Sequence, residues 1–196
     1  KSMEELVTCE GTVHSIIFQN AENGYTVLRL LTEEGEVITV VGCIPCVAPG
    51  EHLAVSGVPE THPQHGEQLR AVELERSLPE DEEEIFSYLS SGICKGVGPA
   101  TARRIVERFG AETLDVLERE PERLTTLKGV TARKAQEIAE SFRQHMGLRR
   151  LMAFLAQYQL PPVLAMELRR QYGDAALEKV RENPYLLSGE ACGVEF

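Results

Sequence analysis

The sequence predicts an α+β protein in two parts, an N-terminal five-stranded β-barrel followed by an all-helical region. Two observations carry this. From Leu6 to Ser77, short β-branched runs are separated by turn signals, the pattern of a small barrel or sandwich. From Glu80 onward, apolar residues recur instead at helical spacing, as in Ala102, Ile105, Val106 and Phe109, and again in Ala135, Ile138, Ala139 and Phe142. The acidic stretch Pro79 to Glu84 lies between them, and its carboxylates suit the first turn of a helix, where unpaired N–H groups carry partial positive charge.

The strands follow in order. Val7 to Phe18 meets Tyr25 to Leu31 through Asn20 to Gly24, where Asn23-Gly24 tolerates positive φ. Glu34-Gly35 turns into Val37 to Cys43, and Pro49-Gly50 introduces His52 to Val58. A loop holding Pro59, Pro63 and Gly66 is then expected before the chain re-enters as Gln68 to Glu75. Five strands in about 70 residues suggest an OB-like barrel. The expected division is 1–78 for the barrel, 79–147 for a first helical unit and 148–196 for a second, truncated one.

Composition excludes several classes. A hydrophobic fraction of 42% and a charged fraction of 26% describe an ordinary folded chain. No apolar run approaches the roughly 20 residues of a membrane helix, and no secretory leader is visible, so a cytoplasmic location without membrane contact is expected. The 5 cysteines are read as free thiols. A net charge of -11 argues against a protein that coats nucleic acid indiscriminately, so any DNA contact must be local. Basic residues do cluster later, from Arg103, Arg104 and Arg108 through Lys128, Arg133 and Lys134 to Arg149 and Arg150.

An internal repeat organises the helical part. Phe109-Gly110-Ala111-Glu112-Thr113-Leu114 is echoed by Tyr172-Gly173-Asp174-Ala175-Ala176-Leu177 at an offset of 63 residues, with Pro121 matching Pro184 and Leu124 matching Leu187. Gly129-Val130 recurs as Gly193-Val194, one residue out of register. The second copy therefore stops at the start of its own second hairpin, and the sequence reads as a piece of a longer protein.

Ile93-Cys94-Lys95-Gly96-Val97-Gly98-Pro99-Ala100-Thr101-Ala102 resembles a helix-hairpin-helix. Its glycines let the backbone turn tightly beside a phosphate, Val97 anchors the turn, and Pro99 opens the next helix, where the N–H it lacks would be unpaired anyway. Free N–H groups at that helix start can hold one DNA phosphate without reading sequence, with Lys95, Thr101 and Arg103 in reinforcement. Leu127-Lys128-Gly129-Val130-Thr131-Ala132-Arg133-Lys134 repeats the design 33 residues on, with Thr131 in place of the second glycine. Lys128, Gly129, Thr131, Arg133 and Lys134 are the candidate contacts there, although Thr131 is equally suited to capping its helix. In the second copy, Leu160-Pro161-Pro162 replaces Val97-Gly98-Pro99, and that hairpin reads as structural.

Other candidates are weaker. Cys43 and Cys46 with His62 and His65 have the residue types of a zinc site, but the histidine pair is too tight, and two buried thiols plus a polar loop explain them; no metal is expected. Phe18 and Tyr25 flank the first barrel turn, where stacking on bases is one reading and core packing the stronger one. No phosphate loop of the Gly-x-x-x-x-Gly-Lys type and no catalytic constellation is present, so neither ATP hydrolysis nor any bound cofactor is expected of these residues.

Glu22-Asn23-Gly24-Tyr25-Thr26-Val27-Leu28, Pro49-Gly50-Glu51, His62-Pro63, Gly66-Glu67-Gln68, the first hairpin and Arg181-Glu182-Asn183-Pro184-Tyr185 together resemble the N-terminal region of RecD-like helicases. The resemblance implies a superfamily 1 motor, using ATP and magnesium to unwind DNA 5′ to 3′ in repair or recombination, with its motor domains C-terminal to Phe196. It implies single-stranded or forked DNA as partner, bound without regard to sequence. Cys43, Cys46 and Thr131 depart from the family pattern. A free-standing RuvA-like junction binder also joins an OB-fold to tandem hairpins but has no second copy. A protein-interaction scaffold, suggested by the -11 charge, is the third reading.

Overall fold

The computed structural model describes residues 4–187. Five strands, β1 (Val7–Gln19), β2 (Tyr25–Thr32), β3 (Val37–Cys43), β4 (His52–His62) and β5 (Gly66–Ser77), close a barrel in the order β1-β2-β3-β5-β4. All neighbours are antiparallel except β3 with β5, which run parallel through Val40 opposite Leu69 and Val41 opposite Arg70. This is the OB-fold arrangement. Val13, Leu28, Leu30, Val40, Leu53 and Val55 alternate inward and fill it.

One strand boundary departs from expectation. The loop placed around Pro59 and Pro63 is mostly strand, because β4 continues to His62 and pairs with β5 as far as His62 opposite Gly66. Pro59 is tolerated because pairing of β4 with β1 has already ended at Gly57, so it interrupts no ladder on that side.

Among the described residues six α-helices follow: α1 (Glu82–Ser90), α2 (Pro99–Phe109), α3 (Thr113–Arg119), α4 (Ala132–Gln157), α5 (Val163–Tyr172) and α6 (Ala176–Glu182), with short 3-10 turns between. Asp81 caps α1 by accepting from the Glu84 N–H at 2.8 Å, and Glu82, Glu83 and Glu84 occupy its first turn. The repeat is structural. Turn Gly110–Glu112 and helix α3 are reproduced 63 residues later as turn Gly173–Ala175 and helix α6, and the two glycines adopt φ values of 57° and 61°. Helix α4 belongs to both copies and runs unbroken across residues 147 and 148. Ile105, Leu117, Ile138 and Phe142 centre the first helical core, and Leu155, Leu164, Leu168 and Val180 the second.

Barrel and helices meet at Pro49-Gly50-Glu51. Gly50 has φ +92°, and a Cβ there would lie 2.2 Å from the Glu84 carbonyl oxygen, so only glycine allows α1 this close. Glu51 is fully buried, accepts from the Ala48 N–H at 3.0 Å and from Arg76 at 2.8 Å, and is contacted by Arg149 of α4. Burial alone would raise its pKa, but the two guanidiniums outweigh that and hold it below the usual carboxylate range. His52 meets Glu84 at 2.6 Å beside it, and the Tyr88 hydroxyl contacts His145 Nε2.

Candidate nucleic-acid interface

The two sequence-predicted hairpins fold alike. In the first, the Val97 N–H bonds the Cys94 carbonyl at 3.2 Å, and the Ala102 N–H bonds that of Gly98 at 2.9 Å. In the second, the Val130 N–H bonds Leu127 at 3.2 Å, and the Ala135 N–H bonds Thr131 at 2.9 Å. Val97 and Val130 are both buried, while Lys95, Gly96, Gly98 and Ala100 on one side and Lys128, Gly129 and Thr131 on the other are exposed. The turn demands a left-handed residue at one place only, occupied by Gly96 (φ +88°) and Gly129 (φ +84°). Gly98 sits in extended backbone at φ -92°, so its replacement by Thr131 (φ -78°) costs the turn nothing.

What Thr131 changes is the number of free donors. Its hydroxyl oxygen accepts from the Lys134 N–H at 3.1 Å, making it the cap that the sequence admitted as an alternative. In the first hairpin the equivalent N–H, on Thr101, has no protein partner among the described residues, and neither do those of Gly98 and Ala100. The first hairpin is held in place by the Lys95 N–H donating to Ser141 Oγ of α4 at 2.8 Å.

The basic side chains divide. Lys95 and Lys128 are exposed beside their turns, and Arg133 is exposed with only a 3.4 Å contact to Glu137. Arg103 is drawn away from the hairpin: it pairs with Glu83 at 3.0 Å and lies 3.7 Å over the Phe86 ring. Lys134 is half-buried. Arg149, grouped with the basic cluster on sequence, is consumed by Glu51, and Arg150 contacts Glu118.

The third hairpin keeps the turn without the glycines. Gln159 takes the left-handed position at φ +58° in the place of Gly96, and Pro161 removes the N–H that Gly98 offers. Val163, equivalent to Ala100, directs its N–H at the Cys43 sulfur of the barrel. The helix start of this hairpin is turned to the barrel at Val163, while Gln159 and Pro161 stay exposed. Arg170 of α5 also donates to the Glu22 carbonyl at 2.8 Å. The matching second hairpin around Gly193-Val194 lies outside the described residues.

Two expectations are corrected at the barrel. Cys43 is exposed and Cys46 half-buried instead of being buried thiols, because β3 ends at Cys43 and the chain turns out through Cys46 at φ +56°. Cys9, Cys43, Cys46 and Cys94 are free, Cys94 being pushed up to about 12 by burial. Among the described residues no three His, Cys, Asp or Glu groups converge on a metal position; His62 and His65 stack on each other at 4.7 Å. Phe18 and Tyr25, read more strongly as core, are 51% and 43% exposed with ring centroids 6.4 Å apart, since both fall on the outward face of their strands at the barrel rim. No described helix is long and apolar enough to cross a membrane.

Comparison with known proteins assigns each part. Residues 5–79 match the OB-fold domain of the ATP-dependent DNA helicase YrrC, residues 86–144 a SAM-like helix-hairpin-helix tandem, and residues 144–196 the helix-hairpin-helix domain of the ATP-dependent RecD2 DNA helicase. The ATP-dependent RecD2 DNA helicase of Deinococcus radiodurans is 30% identical over 193 residues, 95% of this chain. Together these matches support the reading of the chain as an N-terminal RecD-like region. The chain spans 27% of the length of that relative. A solved structure, the S. pombe Stn1-ten1 complex, aligns at 21% identity over 37% of this chain and 57% of that one with a TM-score of 0.31, too low to carry argument. These matches favour the RecD-like reading over a RuvA-like one.

Proposed function

We propose that this RecD-like chain positions DNA for an ATP- and magnesium-dependent 5′ to 3′ helicase motor in the same parent protein, working in DNA repair or recombination. The observation that carries the reading is the pair of hairpins with matching turns, hydrogen bonds and exposure. Each presents a left-handed glycine, a flanking lysine and free N–H groups at a helix start, which together suit a phosphate oxygen and ignore the base. The first hairpin is the stronger grip, with Gly98, Ala100 and Thr101 all offering donors. The second offers Ala132 and Arg133, its third donor being spent on Thr131. Phe18 and Tyr25 at the barrel rim suit stacking on unpaired bases, which favours single-stranded or forked DNA over plain duplex.

Local contact on a chain of net charge -11 must be salt-sensitive and small in footprint. Fluorescence anisotropy with a forked oligonucleotide tests this: Lys95→Ala should weaken binding equally for unrelated sequences and reduce the salt slope by about one unit. No affinity for forked DNA even at low salt would sink the proposal and leave the chain as a protein-interaction scaffold.

A further inference from the structure

The turn between β1 and β2 is tied to the helical part of the chain. Its base is held by the barrel itself: the Asn20 N–H donates to the Tyr25 carbonyl at 2.8 Å, and the Gly24 N–H to the Asn20 carbonyl at 2.9 Å. Its tip, Ala21 to Asn23, is exposed. The barrel reaches the tip through the Asn20 side chain, which accepts from the Glu22 N–H at 2.8 Å, and through the Cys43 thiol, which donates to the Asn23 carbonyl at 3.3 Å.

Helix α5 closes on both of these points. Its first residue, Val163, directs its N–H at the Cys43 sulfur, and Arg170, seven residues on, donates to the Glu22 carbonyl at 2.8 Å. Residues seven apart lie on one face of a helix, about 10.5 Å along its axis, so α5 lays one side across the turn. Arg169 pairs with Asp174 at 3.4 Å, whereas its neighbour Arg170 meets no carboxylate among the described residues and spends its guanidinium on a backbone oxygen.

The turn carries the two exposed aromatics of the barrel rim. Tyr25 opens β2 directly opposite Cys43 in the register with β3, and the Asn23 side-chain oxygen accepts the Tyr25 N–H at 2.9 Å. Phe18 stands at the other root of the turn, its ring centroid 6.4 Å from that of Tyr25. The residues that set the backbone of Tyr25 are therefore the ones α5 holds from outside. A turn fixed before binding loses less conformational freedom when a base arrives.

We infer that Arg170 is a positioning residue, through which α5 holds Phe18 and Tyr25 ready for unpaired bases; this rests on the stacking proposed for those two rings. The second helical copy, whose hairpin has given up its outward donors, then serves DNA through the barrel.

Fluorescence anisotropy on the whole chain tests this by comparing a labelled single-stranded thymidine oligonucleotide with one of the same length whose sugars carry no bases. The native chain should prefer the thymidine strand, and Phe18→Ala with Tyr25→Ala should abolish that preference. Arg170→Ala should reduce the preference about fivefold, the scale of one or two side chains left to be ordered on binding, and leave affinity for the base-free strand unchanged. Added to the two aromatic substitutions, it should change nothing further. Arg170→Lys keeps a donor for the Glu22 carbonyl and should recover most of the preference, and thermal melts should show both variants folded, as expected for an exposed side chain. A preference that survives Arg170→Ala overturns the inference, and so does equal weakening for both strands, the mark of a direct phosphate contact. A native chain that binds both strands equally removes the stacking and this role of Arg170 together, while leaving the hairpin contacts standing; one that binds neither strand removes the hairpin contacts as well.

Discussion

The two helical copies share a backbone but not an employment. The first keeps Gly96 and Gly98 and turns its helix start outward; the second puts Gln159 and Pro161 in their places and turns its helix start toward the barrel, onto Cys43. The lesson is that hairpin geometry survives the loss of its glycines, whereas the supply of free backbone donors does not. One copy can be spent on assembly because the other retains the exposed N–H groups.

Breaking the joint on which the second copy rests should have the largest effect. Glu51→Ala leaves Arg76 and Arg149 buried without their carboxylate and should destabilise the chain by about 3–5 kcal/mol in chemical denaturation. If the loss were below about 1 kcal/mol, the barrel and the second copy would be held by packing alone.

Acid tests the same joint. Burial and the nearby Arg149 hold His145 at a pKa of about 4, below its ordinary 6.5. The unfolded chain takes up that proton first, so the stability present above pH 6.5 is lost progressively as pH falls toward 4, by at most about 3 kcal/mol. Glu51, held low by its arginines, adds to the loss below the ordinary carboxylate range. Melting temperatures across this window should fall for the native chain and fall less in His145→Gln.

The left-handed position distinguishes the copies directly. Gly96→Ala forces a Cβ onto φ +88° and should cost about 1–2 kcal/mol, with weaker DNA binding if the turn shifts. Gln159→Gly relieves the same conformation and should be neutral or stabilising by less than about 1 kcal/mol, with no effect on DNA affinity. The second hairpin tests the cap. Thr131→Ala should cost about 1 kcal/mol through the lost cap, and Thr131→Gly only a few tenths. The glycine variant should bind forked DNA more tightly, because it frees the Lys134 N–H.

Much of this was legible in the chain. The change of hydrophobic period at Pro79 separates barrel from helices, β3 is readable to the residue between its turn signals, and the repeat marks Tyr172 to Leu177 as a second copy of Phe109 to Leu114. Proline misled at Pro59, where it marks a strand whose second neighbour has ended and not a loop. Arg149 looked like a surface cation because its partner, Glu51, lies 98 residues away in sequence, a distance at which no local pattern operates. Glu51 itself carried one signal, an acid held between Pro49-Gly50 and the apolar run from Leu53. Phe18 and Tyr25 defeated composition arguments, since exposure depends on which face of a twisted strand a register assigns.

Helix α4 links these places mechanically. Its 26 residues form a rod of about 39 Å whose first turn is the second hairpin, whose middle is bolted to the barrel by Arg149, and whose last turn leads into the third hairpin. A rod without a break transmits displacement from end to end. A displacement at Thr131 is therefore felt at Arg149 and Glu51 as a shift of the whole rod, so the second hairpin and the barrel keep a constant spacing.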